Sequence, residues 1–135
     1  MGYVQTLITV SADCPLRQSA VPQPVRGRET VACIQHRLIS TAPYRLTEEE
    51  LLFSVYCIQN TIPQDAEHRK ALWSAFFSTP KACLRASPLP KKYGWGIHYD
   101  ADGKIALYAM ESEAYQRLLM DDAVVKRKGM RSAKR

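Results

Sequence analysis

His98 closes the string Tyr93-Gly94-Trp95-Gly96-Ile97-His98, and an imidazole is the side chain best suited to exchange protons near neutral pH. Arg85, Ser87 and the pair Lys91-Lys92 precede it, and Tyr108 follows. Two chemistries fit this set. In the first, Gly94 and Gly96 leave a strand face bare, His98 and Tyr108 wall a shallow shelf, and Arg85, Ser87 and Lys92 reach it from the preceding segment. Such a face suits an anionic ligand or a protein partner, because a glycine in a strand admits close approach to the backbone. In the second, His98 is the general base of a small hydrolase or transferase, Ser87 its nucleophile, and Glu111 or Asp100 orients the ring. No G-x-S-x-G elbow, phosphate-binding loop, dinucleotide-binding glycine set or H-E-x-x-H occurs in the sequence, so no strong enzyme motif supports the second reading. The first, a non-enzymatic binding or interaction module, is preferred, and no catalytic residue is assigned.

Metals and cofactors find no obvious holder. Cys14, Cys33, Cys57 and Cys83 stand at wide, irregular spacings, without a C-x-x-C pair or a histidine at zinc-finger spacing. Cys33, Cys57 and Cys83 have apolar neighbours, where a free thiol in a reducing compartment behaves as a small hydrophobe. His36 and His68 lie beside charged residues and read as solvated.

The chain of 135 residues carries a formal charge of +6, which suggests nucleic acid until the charges are located. Lys126, Arg127, Lys128, Arg131, Lys134 and Arg135 account for the whole excess, and the rest of the chain is formally neutral. The sequence therefore divides into a domain over 1–125 and a basic tail over 126–135. A third reading follows, in which Lys126, Arg127, Lys128 and Arg131 bind nucleic acid without sequence preference and with steep salt dependence. The longest apolar runs are a few residues, whereas a spanning helix needs about 20, so no membrane partner is expected. The N-terminus lacks a basic and apolar leader, which points to the cytoplasm.

The candidate residues depend on the elements that hold them. Residues 3–10 are rich in β-branched and aromatic types, with Val4, Ile8 and Val10 on one parity, and read as a strand. Pro15 to Arg28 is a long loop. Thr30 caps a helix with Val31, Ile34 and Leu38 on one stripe. Thr47-Glu48-Glu49-Glu50 is a capping box opening a helix to about Gln59, although Phe53 to Ile58 also alternates as a strand. Pro63 opens a helix carrying Leu72, Trp73, Phe76 and Phe77, which Thr79-Pro80 stops. Ala82 to Ser87 alternates and reads as a strand broken by Pro88 and Pro90. Ser112 begins a last helix with Tyr115, Leu118 and Leu119. The expectation is an α+β domain with a mainly antiparallel sheet of three to four strands, packed on one face by about four helices.

The hairpin is the sharpest element. Asp-Gly at the end of Asp100-Ala101-Asp102-Gly103 suits a three-residue loop with Gly103 left-handed. That register sets Tyr99 against Ile105, Ile97 against Leu107 and Trp95 against Ala109 on the core face. It leaves Gly94, Gly96 and His98 opposite Met110, Tyr108 and Ala106 on the other, with Tyr108 lying across Gly96 as the simplest cover.

The segment Cys83 to His98, with Asp102 to Tyr108 and Met110-Glu111-Ser112, resembles a family of small bacterial proteins catalogued only as a domain of unknown function. The likeness extends over nearly the whole chain, including Pro43-Tyr44, Phe76-Phe77-Ser78 and Met130-Arg131-Ser132. It implies a bacterial, cytosolic setting and carries over no catalytic residue.

Overall fold

The computed structural model describes residues 2–63 and 66–133. Its order is β1 (Thr6–Thr9), α1 (Val31–Thr41), α2 (Glu48–Gln59), α3 (Ala66–Phe76), α4 (Pro88–Lys92), β2 (Trp95–Tyr99), β3 (Ile105–Ala109), α5 (Glu113–Met120) and β4 (Val125–Lys128), with a 3-10 turn at Leu84–Ala86 before α4. The strands form one mixed sheet in the order β3-β2-β1-β4, antiparallel except for the β1/β4 pair. The α+β class is as expected.

The helix starts follow their capping residues. Thr30 accepts from the Cys33 N–H and opens α1. In α2 both halves of the capping box form: Thr47 accepts from Glu50 N–H, and the Glu50 carboxylate accepts from Thr47 N–H. Two orphan amides are satisfied at once, and residues 48–59 are helix rather than strand. The start expected at Pro63 abuts residues 64 and 65, which lie outside the described residues.

The hairpin register is the expected one. Trp95 pairs with Ala109, Gly96 with Tyr108, Ile97 with Leu107, His98 with Ala106 and Tyr99 with Ile105. Gly103 closes the loop at φ 78°, and its N–H donates to the Asp100 carbonyl at 3.1 Å. Ile97, Tyr99 and Ile105 are fully buried with Ile8, Ile34, Leu51 and Leu89, so this face of the sheet packs on α1, α2 and α4. Trp95 is only partly buried at the margin of that core, where it rests on His36 with ring centroids 4.9 Å apart.

Four expectations need correction. Ala82 to Ser87 is not a strand. Ser87 is instead an N-cap whose hydroxyl accepts from Leu89 N–H, with Pro88 in the first turn of α4, where a missing N–H costs nothing. The first strand is shorter than 3–10, because Gln5 takes a left-handed φ of 49°, which breaks the alternation and leaves Val4 exposed. The basic tail does not begin at Lys126: Lys126, Arg127 and Lys128 belong to β4 and pair with Leu7, Ile8 and Thr9. Beyond them the Ser132 and Ala133 amides donate to the Asp13 carboxylate, so deleting 126–135 would remove an edge strand along with the charges. Finally, His36 is not solvated. Its ring lies half-buried against Trp95, its Nε2 is buried without a partner among the described residues, and burial lowers its pKa.

Candidate functional site

The second face of the sheet is closed rather than bare. α5 folds back across it, and Tyr115, Leu118 and Leu119 pack with Leu7 and Val124. The aromatic cover over Gly96 is Tyr115, not Tyr108: a Cβ built on Gly96 would stand 2.5 Å and 2.8 Å from ring carbons Cε1 and Cδ1 of Tyr115. The Tyr115 hydroxyl fixes the ring by accepting from Val10 N–H at 2.9 Å. Gly94 is filled in the same way, since a Cβ there would meet Met110 Sδ at 2.7 Å and the Ser19 backbone at 3.1 Å. Ser19 belongs to the long Pro15–Arg28 loop, which is fastened over the hairpin. Ala20 N–H donates to Tyr93 O, Trp95 Nε1 donates to Ala20 O, and the Glu111 carboxylate accepts from Ser19. Both glycines therefore serve packing.

What reaches the surface on this face is a hydrogen-bonded chain of three side chains. His98 and Tyr108 project from adjacent strands as diagonal neighbours, with ring centroids 6.1 Å apart. Between them comes Tyr44 from the turn after α1, its hydroxyl 2.8 Å from His98 Nδ1 and 2.6 Å from the Tyr108 hydroxyl. Tyr44 gets there by pairing with the outer edge of β3, its N–H donating to Ile105 O at 2.8 Å while Ile105 N–H donates to Leu46 O. Its backbone is left-handed, φ 58°, a conformation that costs a non-glycine residue of order 1–3 kcal/mol and clusters at functional positions.

The electrostatics keep the chain neutral. Burial pushes the Tyr44 phenol well above its ordinary range, with the Tyr108 hydrogen bond adding to it. Burial also lowers the His98 pKa, against opposing pulls from the carboxylates of Asp100 and Asp121. A neutral imidazole bonded through Nδ1 leaves Nε2 free, and Nε2 makes no hydrogen bond among the described residues. If Tyr44 donates to Nδ1, Nε2 carries the proton and is a donor; if the chain reverses, Nε2 is an acceptor.

The other sequence candidates lie elsewhere. The Ser87 hydroxyl donates to Gln35 Oε1 at 2.6 Å and caps α4. Ser87 and His98 thus engage different partners, Gln35 and Tyr44 respectively. Asp100 and Glu111 are occupied by the hairpin loop and by Ser19 respectively. Arg85 donates through Nε to Lys128 O, and Lys92 is exposed on α4. The Lys126 ammonium donates to the Asp121 and Val124 carbonyls, Arg127 lies over the Tyr3 ring, and Lys128 and Arg131 are exposed. Basic side chains along an outer strand deter edge-to-edge pairing, an ordinary use of lysine there.

Two residues that sequence reasoning passed over matter here. Tyr44 gave no periodic signal. Glu48 did: it shares the i, i+3, i+7 stripe of α2 with Leu51 and Val55, and it is 1% exposed. Its Oε1 accepts from the Tyr99 hydroxyl at 2.5 Å and from Leu84 N–H at 3.1 Å, while Oε2 is buried without a partner among the described residues.

The model of a family of unknown function, DUF6157, matches residues 1–135. The chain belongs to that family. No curated protein and no solved structure matches it. The family brings no site residues with it, so function rests on the geometry above. Among the described residues no helix is long and apolar enough to cross a membrane.

Proposed function

We propose that this DUF6157 member is a non-enzymatic binding module whose contact point is the chain His98–Tyr44–Tyr108. The observation that carries the reading is the Tyr44 hydroxyl, held between His98 and Tyr108 by a left-handed backbone at a partly exposed position. A neutral imidazole with one free nitrogen, backed by two phenols, recognises a hydrogen-bonding group on a small molecule or a protein. Arg85 is turned to Lys128 O, and Lys92 is exposed at the end of α4. The charges that act on the His98 ring are the carboxylates of Asp100 and Asp121, so an uncharged hydrogen-bonding group suits the site better than an anion. A reducing, cytoplasmic setting in a bacterium agrees with four free thiols.

A thermal-shift screen of the full chain against nucleotides, phosphates, acidic metabolites and uncharged amides and alcohols tests this reading. A binding event at the site weakens at least tenfold in both His98→Ala and Tyr44→Phe and survives Arg85→Ala and Lys92→Ala. If every detected event is indifferent to His98→Ala and Tyr44→Phe, the site is misassigned.

A further inference from the structure

The sheet has two outer edges, and the chain treats them differently. On β3 the turn after α1 is seated on the edge, with Tyr44 N–H donating to Ile105 O and Ile105 N–H donating to Leu46 O. At the other end the strand order stops at β4, and no backbone group of the described residues pairs with the outer side of Val125–Lys128. Val125 N–H donates to Gln5 O and Gly129 N–H to Thr9 O, so the odd positions of β4 turn their amides to β1. The alternation of a strand then aims Lys126 N–H, Lys126 O and Lys128 N–H outward. Lys128 O receives Arg85 Nε at 2.7 Å, which fixes that guanidinium at the same edge.

An unpaired edge is a template for another chain, and its charge says which. Lys126, Arg127 and Lys128 follow one another along it, Arg127 and Lys128 exposed, and with Arg85 they form no ion pair among the described residues. Pairing with β4 of a second copy would set these cations against one another, and like charges on opposed strands destabilise a ladder. A strand rich in carboxylates gains where the copy loses. We propose that the outer edge of β4 takes up an extended acidic segment of a partner protein as an added strand. Main-chain bonds to Lys126 and Lys128 hold the segment, and its carboxylates meet Arg85, Arg127 and Lys128. A nucleic acid would use the same cations, but its phosphate oxygens only accept, whereas the outward Lys126 O needs a donor that a peptide N–H supplies. β1 stands between β4 and the strand that carries His98, so this surface is independent of the site proposed above.

The test uses the full chain and a synthetic octapeptide of alternating glutamate and valine, followed by fluorescence anisotropy and by amide hydrogen exchange. Binding is expected, and it should weaken as salt screens the exposed charges. Saturating peptide should slow exchange of the Lys126 and Lys128 amides at least fivefold, while Arg127, already turned to β1, changes little. The same peptide with its two central amides N-methylated keeps its charge and should lose the binding. Lys128→Pro removes the outward N–H, a change tolerated on an edge strand. It should weaken binding at least fivefold beyond Lys128→Ala, which removes the charge alone. If Lys128→Pro does not fold, the N-methylated peptide decides. Equal binding of the two peptides, or exchange at Lys126 and Lys128 unmoved at saturation, would mean attraction by charge alone and overturn the proposal. The absence of any binding would overturn it too, as would tighter binding of a single-stranded oligothymidylate of equal charge, the mark of a nucleic-acid surface.

Discussion

Replacing Gly96 with alanine is expected to destabilise the protein by about 1–3 kcal/mol, the usual cost of forcing an extra methyl into a packed site. The new Cβ would lie 2.5 Å from a ring carbon of Tyr115 and 3.4 Å from Ile8 O. The ring cannot swing away cheaply. It is buried, its hydroxyl is engaged by Val10 N–H, and the Tyr115 N–H is held by the α5 cap, Ser112. The cost arises from one contact, so it should vanish when that contact is removed. Tyr115→Ala alone should be severe, at about 3–5 kcal/mol by analogy with other large aromatic truncations, but adding Gly96→Ala in that background should cost little more. Chemical denaturation of the four proteins gives the coupling. Equal Gly96→Ala effects in both backgrounds would mean that α5 does not lie on this face.

The buried carboxylate of Glu48 supplies the second large effect. Tyr99→Phe removes a donor from an oxygen that has no ion-pair partner among the described residues, leaving Oε1 with the Leu84 N–H alone. Stranding a buried polar group costs about 1–3 kcal/mol, and more when it is charged, whereas replacing both partners with apolar groups of similar shape is often mild. Tyr99→Phe is therefore expected to cost more than 1.5 kcal/mol in the native background and to be close to neutral once Glu48→Leu is present. Denaturation midpoints at constant slope would show this as strong coupling. Additive effects of the two substitutions would mean that the hydroxyl and carboxylate do not meet.

How far these features were legible depended on whether a local signal existed. The β2/β3 hairpin was, because Asp100 to Gly103 dictates the loop and the alternation of Trp95, Ile97 and Tyr99 tolerates only one register. Glu48 and Ser87 were legible in principle. Glu48 falls on the apolar stripe of α2, and Ser87-Pro88 is a cap followed by a first-turn proline, yet the chance alternation of Ala82, Leu84 and Ala86 outweighed it. The closure over Gly96 was not legible. It depends on an eight-residue helix, α5, folding back over the sheet, a tertiary event that no pattern within β2 announces. Nor was Tyr44, whose role rests on a left-handed backbone stabilised by the edge of β3. The glycine face is thus filled by packing, and His98 and Tyr108 meet there a residue from a distant turn, Tyr44.

The chain His98–Tyr44–Tyr108 is tested most directly by a pH titration of the histidine ring nitrogens of the full protein by NMR, repeated in Tyr44→Phe. Burial depresses the His98 pKa, so as the pH falls the unfolded chain takes up the proton first. The stabilisation tied to this ring is therefore present above the ordinary histidine value of about 6.5 and is lost as the pH falls through the folded pKa. The expected result is a His98 that titrates below that ordinary value, with a ring Nδ1 signal shifted by its hydrogen bond and displaced in Tyr44→Phe. A His98 that titrates at or above the ordinary value, with ring signals indifferent to Tyr44→Phe, would contradict the proposed site.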